Sequence, residues 1–410
     1  MNPSPLPSPP DPPRAVRATL PITLLIQSAA SAALIAPTVA APRLLEQLGA
    51  GPVVIGVYVS VVYLAAMLSS QWGATLVRRW GPIRTSQAAL VASALGVLLV
   101  ATARPWPAAV GALLIGLGYG PITPASSEML ARSTSPRRYA LVFSIKQSGV
   151  PLGGVVAALG VPPVLEATSA AWALAGIAAL CVVSLALASG LRGRLDAWRD
   201  ATSPLPSLAG TLGPLRLVLG HPALRRLALC SLVFSAVQVS LTAYAITWLN
   251  AELGWGLVAA GAVMTVSQLA GALGRVAWGW LADRRGSTLA MLRALALGMA
   301  VCGVAMLAIG PQTPHVVVAA LLAAYGATAI GWNGVYLAGV ARSVPHEQAA
   351  SATAGSLFLT FFGVVIVPPI FGALGVAAGT LGVAFAALAL PLAAALWLLR
   401  ADPALKTVEP

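Results

Sequence analysis

The stretch LVAAGAVMTVSQLAGALGRVAWGWLADRRG, residues 257–286, decides how the chain is read. Its apolar part, 257–282, carries one charge, Arg275, and stops at Asp283-Arg284-Arg285-Gly286. A helix of about 20 mainly apolar residues crosses the ~30 Å hydrocarbon core of a bilayer. This run is long enough to do so, and its cationic end is the kind that remains in water.

Working outward, breaks at charge clusters and Pro/Gly turns divide the chain into twelve such runs. They are roughly 20–42, 53–77, 85–103, 107–130, 140–162, 169–190, 226–249, 257–282, 288–310, 315–340, 350–373 and 380–399, and we number them spans 1 to 12. The whole chain fits this reading. Of 410 residues 58% are apolar and only 9% charged, against about 25% charged in soluble domains. Too little polar surface exists to coat a globule in water. A soluble enzyme is thereby excluded, and the expected fold class is an all-α polytopic membrane protein.

The net charge of +13 invites a nucleic-acid reading, but the cations are placed otherwise. Arg14 and Arg17, Arg78, Arg79 and Arg84, Arg132, Arg137 and Arg138, the stretch Arg192 to Arg226, Arg284, Arg285 and Arg293, Arg342, Arg400 and Lys406 all fall in alternate gaps. The opposite gaps hold only Arg43 and Arg104, with Glu46, Glu166 and Glu252. Under the positive-inside rule both termini are expected in the cytoplasm of a bacterial inner membrane, and no nucleic-acid partner is needed.

The organisation expected is a disordered Pro-rich N-terminus over 1–19, a six-span bundle over 20–190, a cytoplasmic linker over 191–225, a second six-span bundle over 226–400 and a tail over 401–410. No signal peptide is read before span 1. Cys181, Cys230 and Cys302 each sit inside an apolar run and read as small core residues.

The halves echo each other. Leu48-Gly49-Ala50-Gly51 answers Leu253-Gly254-Trp255-Gly256, and Arg78-Arg79-Trp80-Gly81 answers Asp283-Arg284-Arg285-Gly286, both displaced by 205 residues. Ala131-Arg132-Ser133 answers Ala341-Arg342-Ser343, displaced by 210. Two parallel six-helix halves with a substrate path between them is a transporter plan. On these residues the chain resembles the major facilitator superfamily over about 20–400. Gly279-Trp280-Leu281-Ala282-Asp283-Arg284-Arg285-Gly286 fits that family's G-x-x-x-D-R-x-G loop between helices 8 and 9. The first-half copy is degenerate, with Arg78 where the family usually has Asp. The resemblance implies two pseudo-symmetric bundles working by alternating access.

An ionisable group deep in a span costs at least about 2.5–3.5 kcal/mol on the insertion scale and usually faces a cavity or a partner. Lys146 lies six residues into span 5 and Arg275 seven before the end of span 8, each about 10 Å deep. No Asp or Glu occurs at comparable depth in any span. The functional reading is that this pair holds an anion, Arg by a bidentate grip and Lys as a mobile point charge. Arg275, Gly279 and Asp283 also resemble helix 8 of monocarboxylate and oxalate carriers, which implies substrate binding by Arg275. The competing reading is that Arg275 joins the charge network at Asp283 while Lys146 snorkels to the interface. Gln147 beside Lys146, and Gln27, Tyr119, Gln238, Tyr244, Trp332 and Asn333 on spans that line the family's cavity, complete the candidate substrate-binding set; Ser31 and Tyr325 share those spans. Tyr63 and Trp248 read as interfacial anchors.

A gate is expected from the loop motif. Asp283 would face the start of span 11 near Ala350, a carboxylate at a helix N-terminus being favoured by about 0.3–1 kcal/mol. That contact forms only with the cytoplasmic side closed. Gly279 and Gly286 would allow close approach and a tight turn, flanked by Arg284. In the first half Arg78, Arg79, Gly81 and Arg84 make the weaker copy, with Glu128 as the expected partner of its arginines or of Arg137 and Arg138. Ser148-Gly149-Val150-Pro151-Leu152-Gly153-Gly154 resembles the Gly/Pro motif of drug/proton antiporters without its full spacing, and a kink with a close-packing face accounts for it.

No GxGxxG after a strand, Walker loop, HExxH or GxSxG occurs, and His221, His315 and His346 have no catalytic or metal spacing. An enzyme, a cofactor and a metal are not expected, and transport without an ATP-binding domain must be secondary. The expected function is a monomeric carrier for a small organic anion, a carboxylate, coupled to a proton riding on the substrate or to exchange for a second anion. The alternatives are a multidrug or metabolite exporter, whose cationic drugs call for a buried acid absent at mid-depth, and a membrane sensor, which would need an output domain. Asp283→Asn should shift the inward/outward balance; cysteine-accessibility labelling that is unchanged by it would remove the gate.

Overall fold

The computed structural model describes residues 12–133, 145–197, 199–203, 213–285, 287–344 and 349–400. Among them there is no strand, and twelve helices are long and apolar enough to cross a membrane. The spans are Thr19–Val39, Val53–Gly73, Pro82–Val100, Pro105–Leu130, Ile145–Ala167, Ala170–Ser189, Pro222–Ala251, Leu257–Ala282, Thr288–Ala308, His315–Val340, Gly355–Ala378 and Leu381–Leu398. Among the described residues every expected run falls on one of these spans, with ends moved by a few residues.

Three boundaries are corrected. The first helix begins at Pro12, inside the stretch expected to be disordered, because proline fits the first helical turn, where its missing N–H has no partner to lose. Span 7 begins at Pro222 rather than 226, for the same reason and with the His221 side chain accepting from Leu224 N–H. The linker holds two short helices, Arg192–Leu195 and Gly213–Gly220. Residues 1–11 and the tail 401–410 lie outside the described residues.

Lipid tails give helices no hydrophobic reason to associate, so close backbone approach has to supply the attraction. Span 3 meets span 4 where a Cβ on Gly96 would lie 2.6 Å from the Gly111 carbonyl and one on Gly111 2.5 Å from the Gly96 carbonyl. Span 2 of the first half meets span 11 of the second in the same way. A Cβ on Gly56 would lie 2.5 Å from the Pro368 carbonyl, and Ser60 Oγ donates to the Val365 carbonyl. Spans 5 and 8 form the other large contact between halves, and Glu166 at the end of span 5 accepts from Val258 N–H at the start of span 8 (3.3 Å). These contacts lie toward the face opposite the linker, which we call the far side.

On the linker side Gly81 turns the chain between spans 2 and 3 at φ 91°, and a side chain there would strike Asp196. Asp196 instead caps span 3, accepting from Ile83 N–H (2.8 Å) and Arg84 N–H (3.2 Å). Burial pushes its carboxyl up, against the pull of the Ile83 N–H and the Arg192 charge. Asp200, held below the usual carboxylate range by Thr202 and Ser203, donates its N–H to the Arg78 carbonyl (2.8 Å), and Arg79 Nη1 donates to the Ser203 carbonyl (2.5 Å). Asp196→Ala should destabilise the first half by about 1 kcal/mol, the usual worth of an N-cap, while Asn keeps an acceptor and most of that stability; thermal unfolding of both variants in detergent measures it, and equal loss from both would remove the capping role.

Candidate substrate site

Span 10 is not one helix. It runs His315–Ala329, breaks at Ile330-Gly331-Trp332 and resumes over Asn333–Arg342. A break inside a bilayer leaves carbonyls that no water can reach, and each must find a donor. Span 8 supplies both. Trp278 Nε1 donates to the Ala327 carbonyl (2.8 Å) and Arg275 Nε to the Ile330 carbonyl (3.0 Å). Leu273 and Val276 on either side of Arg275 are exposed toward lipid, so its guanidinium faces inward by helical phase.

Arg275 reaches further. Its Nη1 donates to the Gln147 carbonyl of the other half (2.9 Å), and Lys146 Nζ, itself 0% exposed, donates to Gln147 Oε1 (3.0 Å). One residue of span 5 thus receives a cation from each half, and the two expected cations meet at the seam. Tyr119 of span 4 lies beside Ser31 and within electrostatic reach of Arg275, and Gln27 Nε2 donates to Ser31 Oγ (3.4 Å). Gln27 is buried with its Oε1 unpartnered. The Gly/Pro segment of span 5 allows this crowding: a Cβ would lie 2.8 Å from Gln27 at Gly149, 2.6 Å from Ser31 at Gly153 and 2.6 Å from Gln268 of span 8 at Gly154. Lys146, Gln147, Arg275, Tyr119 and Gln27 are therefore one cluster.

A second group sits on the other side of the seam. Gln238 Oε1 accepts from Trp332 Nε1 (2.9 Å) and Asn333 Nδ2 (3.3 Å), so spans 7 and 10 share one amide. Gln238 also lines a cavity of about 40 Å³ between the halves, walled mainly by Leu34, Ile35, Val59, Val62, Val239 and Ile330. Tyr244 stands apart, buried, its hydroxyl donating to the carbonyl of Pro368 inside span 11 (2.8 Å).

Other expectations are corrected. Trp248 is no interfacial anchor but is buried against Phe385 (6.1 Å). Tyr63 is not one either, since it lines the cavity and packs on Tyr119 (6.3 Å) and Phe361 (5.7 Å) across the seam. Gly279 allows no close approach, nothing lying within 4 Å of a Cβ there. Arg284 stacks on Trp280 (4.5 Å). Among the described residues neither Arg78, Arg79 nor Arg84 pairs with Glu128, because the linker folds over their turn first. The Asp283 side chain, Gly286, Arg137, Arg138 and the side chain of Ala350 lie outside the described residues, and with them the expected second-half gate. Three participants escaped the sequence reading: Gln268, Glu166 and Asp196. A Gln in a span, like an isolated loop acid, carries no positional signal by itself.

Comparison with known proteins agrees with this architecture. A mutant of the nucleoside transporter NupG matches with a TM-score of 0.75 at 16% identity, over 94% of this chain and 100% of that one. A bacterial homologue of the human lysosomal transporter Spinster, solved inward-facing and occupied, matches at 0.66 with 16% identity over 97% and 96%. In sequence, an uncharacterized MFS-type transporter found in two strains of Mycobacterium tuberculosis is 29% identical over 246 residues, 58% of this chain and 53% of the relative. The match thus spans about half the length of those curated relatives. The family profile described as Major Facilitator Superfamily covers residues 23–367, and the chain belongs to that superfamily of multi-pass secondary transporters.

Proposed function

We propose that this transporter carries a small organic anion, a carboxylate, across a bacterial inner membrane by alternating access, with both termini cytoplasmic. The observation that carries the reading is the convergence of Lys146 and Arg275 on Gln147 at the seam. Both cations are held out of water beside Gln147, and a bound carboxylate would supply a counter-charge there. Hydrogen bonds from a guanidinium to a carboxylate are roughly twice as strong as those between neutral groups. A carboxylate therefore competes with the Gln147 carbonyl for Arg275. Winning that competition breaks a bond between the halves, so substrate occupancy and the closure of the seam are linked through one side chain.

Tyr119 and Gln27 stand where they can orient the anion, and Gln238, Trp332 and Asn333 serve the opposite wall. Charge balance over a cycle is met by a proton travelling on the substrate or by exchange for a second anion, and one chain contains every residue invoked. Asp283 with Arg284 and Gly286, and the Arg78, Arg79, Gly81 and Arg84 turn, are assigned to gating on the linker side.

Substrate counterflow in proteoliposomes, with a panel of labelled carboxylates, tests the proposal. Lys146→Gln and Arg275→Gln should each slow counterflow at least about tenfold, equivalent to about 1.4 kcal/mol. Arg275→Lys should fail as well, because an ammonium lacks the planar fork whose separate nitrogens reach Ile330 and Gln147 and can grip a carboxylate bidentately. Lys146→Gln guards against misfolding, since it removes no donor from the broken span 10. Unchanged kinetics in it and in Arg275→Gln would end the anion reading and leave the carrier assignment intact.

A further inference from the structure

We infer that the transported anion is amphipathic, a carboxylate whose apolar body extends roughly 10 Å from Arg275 into the cavity between the halves and ends at Gln268. The inference rests on the anion reading above and names the class of anion.

It follows from what the cavity walls leave unbonded. Leu34, Ile35, Val59, Val62, Val239 and Ile330 offer only hydrocarbon. Three of the six polar lining side chains give their hydroxyl proton to backbone: Tyr58 OH to the Leu34 carbonyl (3.1 Å), Thr38 Oγ1 to the Ile35 carbonyl (2.8 Å) and Thr242 Oγ1 to the Gln238 carbonyl (3.0 Å). Gln238 Oε1 is taken by Trp332 and Asn333. A sugar or a dicarboxylate placed here would bury more polar groups than Tyr63, Gln268 and the Gln238 amide N–H could bond, which a selective site avoids. A hydrocarbon body meets no such penalty.

The distance comes from helix geometry. Gln268 and Arg275 are seven residues apart on span 8, hence on one face and about 10 Å apart along the axis. Gln147, Val150 and Gly154 repeat that spacing on span 5, and Gly154 leaves the room that the Gln268 amide fills. Gln268 is 3% exposed, lines the cavity and lies directly across the seam from span 5. Spans 5 and 8 therefore flank a path with the cations at one end and the Gln268 amide at the other, the cavity taking in Val150, Gln268 and Ile330 of span 10. The cavity of about 40 Å³ holds only a few waters, so it marks where the apolar end seats, and the remainder opens when the halves part.

Ligand-induced thermal stabilisation of the full-length protein in nanodiscs tests this with acetate, oxalate, octanoate and octanol, on the wild type and on Val150→Trp, which fills the path. Octanoate should stabilise the wild type at concentrations at least about tenfold below acetate or oxalate, and Val150→Trp should abolish that advantage while leaving acetate unchanged. Equal potency of octanoate and acetate would overturn the apolar body and leave the anion reading standing. Octanol as potent as octanoate would instead overturn the anion reading. Octanoate acting equally on wild type and Val150→Trp would show partitioning into lipid and overturn the path.

Discussion

A backbone carbonyl stranded in hydrocarbon costs several kcal/mol, and the centre of this protein is organised around two of them. The break at Ile330-Gly331-Trp332 frees carbonyls at Ala327 and Ile330, and span 8 answers with Trp278 and Arg275. Arg275 is suited to the task because its fork of donors can serve several acceptors at fixed angles. One donor holds the broken helix of its own half and another crosses to Gln147. The same side chain thus completes a fold and bridges the moving parts. A lysine would offer its donors from a single nitrogen, without the planar fork that spans both acceptors.

That arrangement puts the cluster on the contact between spans 5 and 8, one of the two large contacts between the halves. On the far side the seam is made by backbone approach, Gly56 on Pro368 and Ser60 on Val365, and by the Glu166 carboxylate at the start of span 8. Such contacts are geometric and short-ranged, so they hold or release as a block when the bundles rock. Nearer the linker, the described contact between spans 5 and 8 runs through a charged group whose partners can be exchanged. Under the proposed mechanism this difference has a use: one face is closed by packing and the middle by a bond that a substrate would replace.

Much of this was legible in the sequence, for physical reasons that differ by feature. The twelve spans follow from length and hydropathy, since the bilayer sets a length that few other constraints imitate. The depth of Lys146 and Arg275 was legible because a charge in an apolar run stands out. Their meeting on Gln147 was not, because Gln147 contributes a carbonyl as well as its amide, and every residue has a carbonyl. The break in span 10 was equally hidden: Gly331 alone does not stop a helix, and it is the donors of span 8, fifty residues away in the chain, that make the break tolerable. Trp248 and Tyr63 misled for a related reason. An aromatic near a span end suits an interface or a core equally well, and only packing against Phe385 or Phe361 decides between them.

The degenerate motif of the first half shows how a missing charge can be restored from elsewhere. Arg78 stands where the repeat has Asp283, and a cation beside the N-terminus of span 3 is unfavourable. Asp196 of the linker occupies that N-terminus instead, above a glycine that has no side chain to block it. The acid required by the helix end is present, but it arrives from more than a hundred residues downstream. Its origin has a mechanical consequence. Residues 196–203 are bonded to the first half, whereas the helix Gly213–Gly220 lies against span 11 of the second, Pro214 meeting Gly355 directly. The two ends of the linker are therefore attached to different halves.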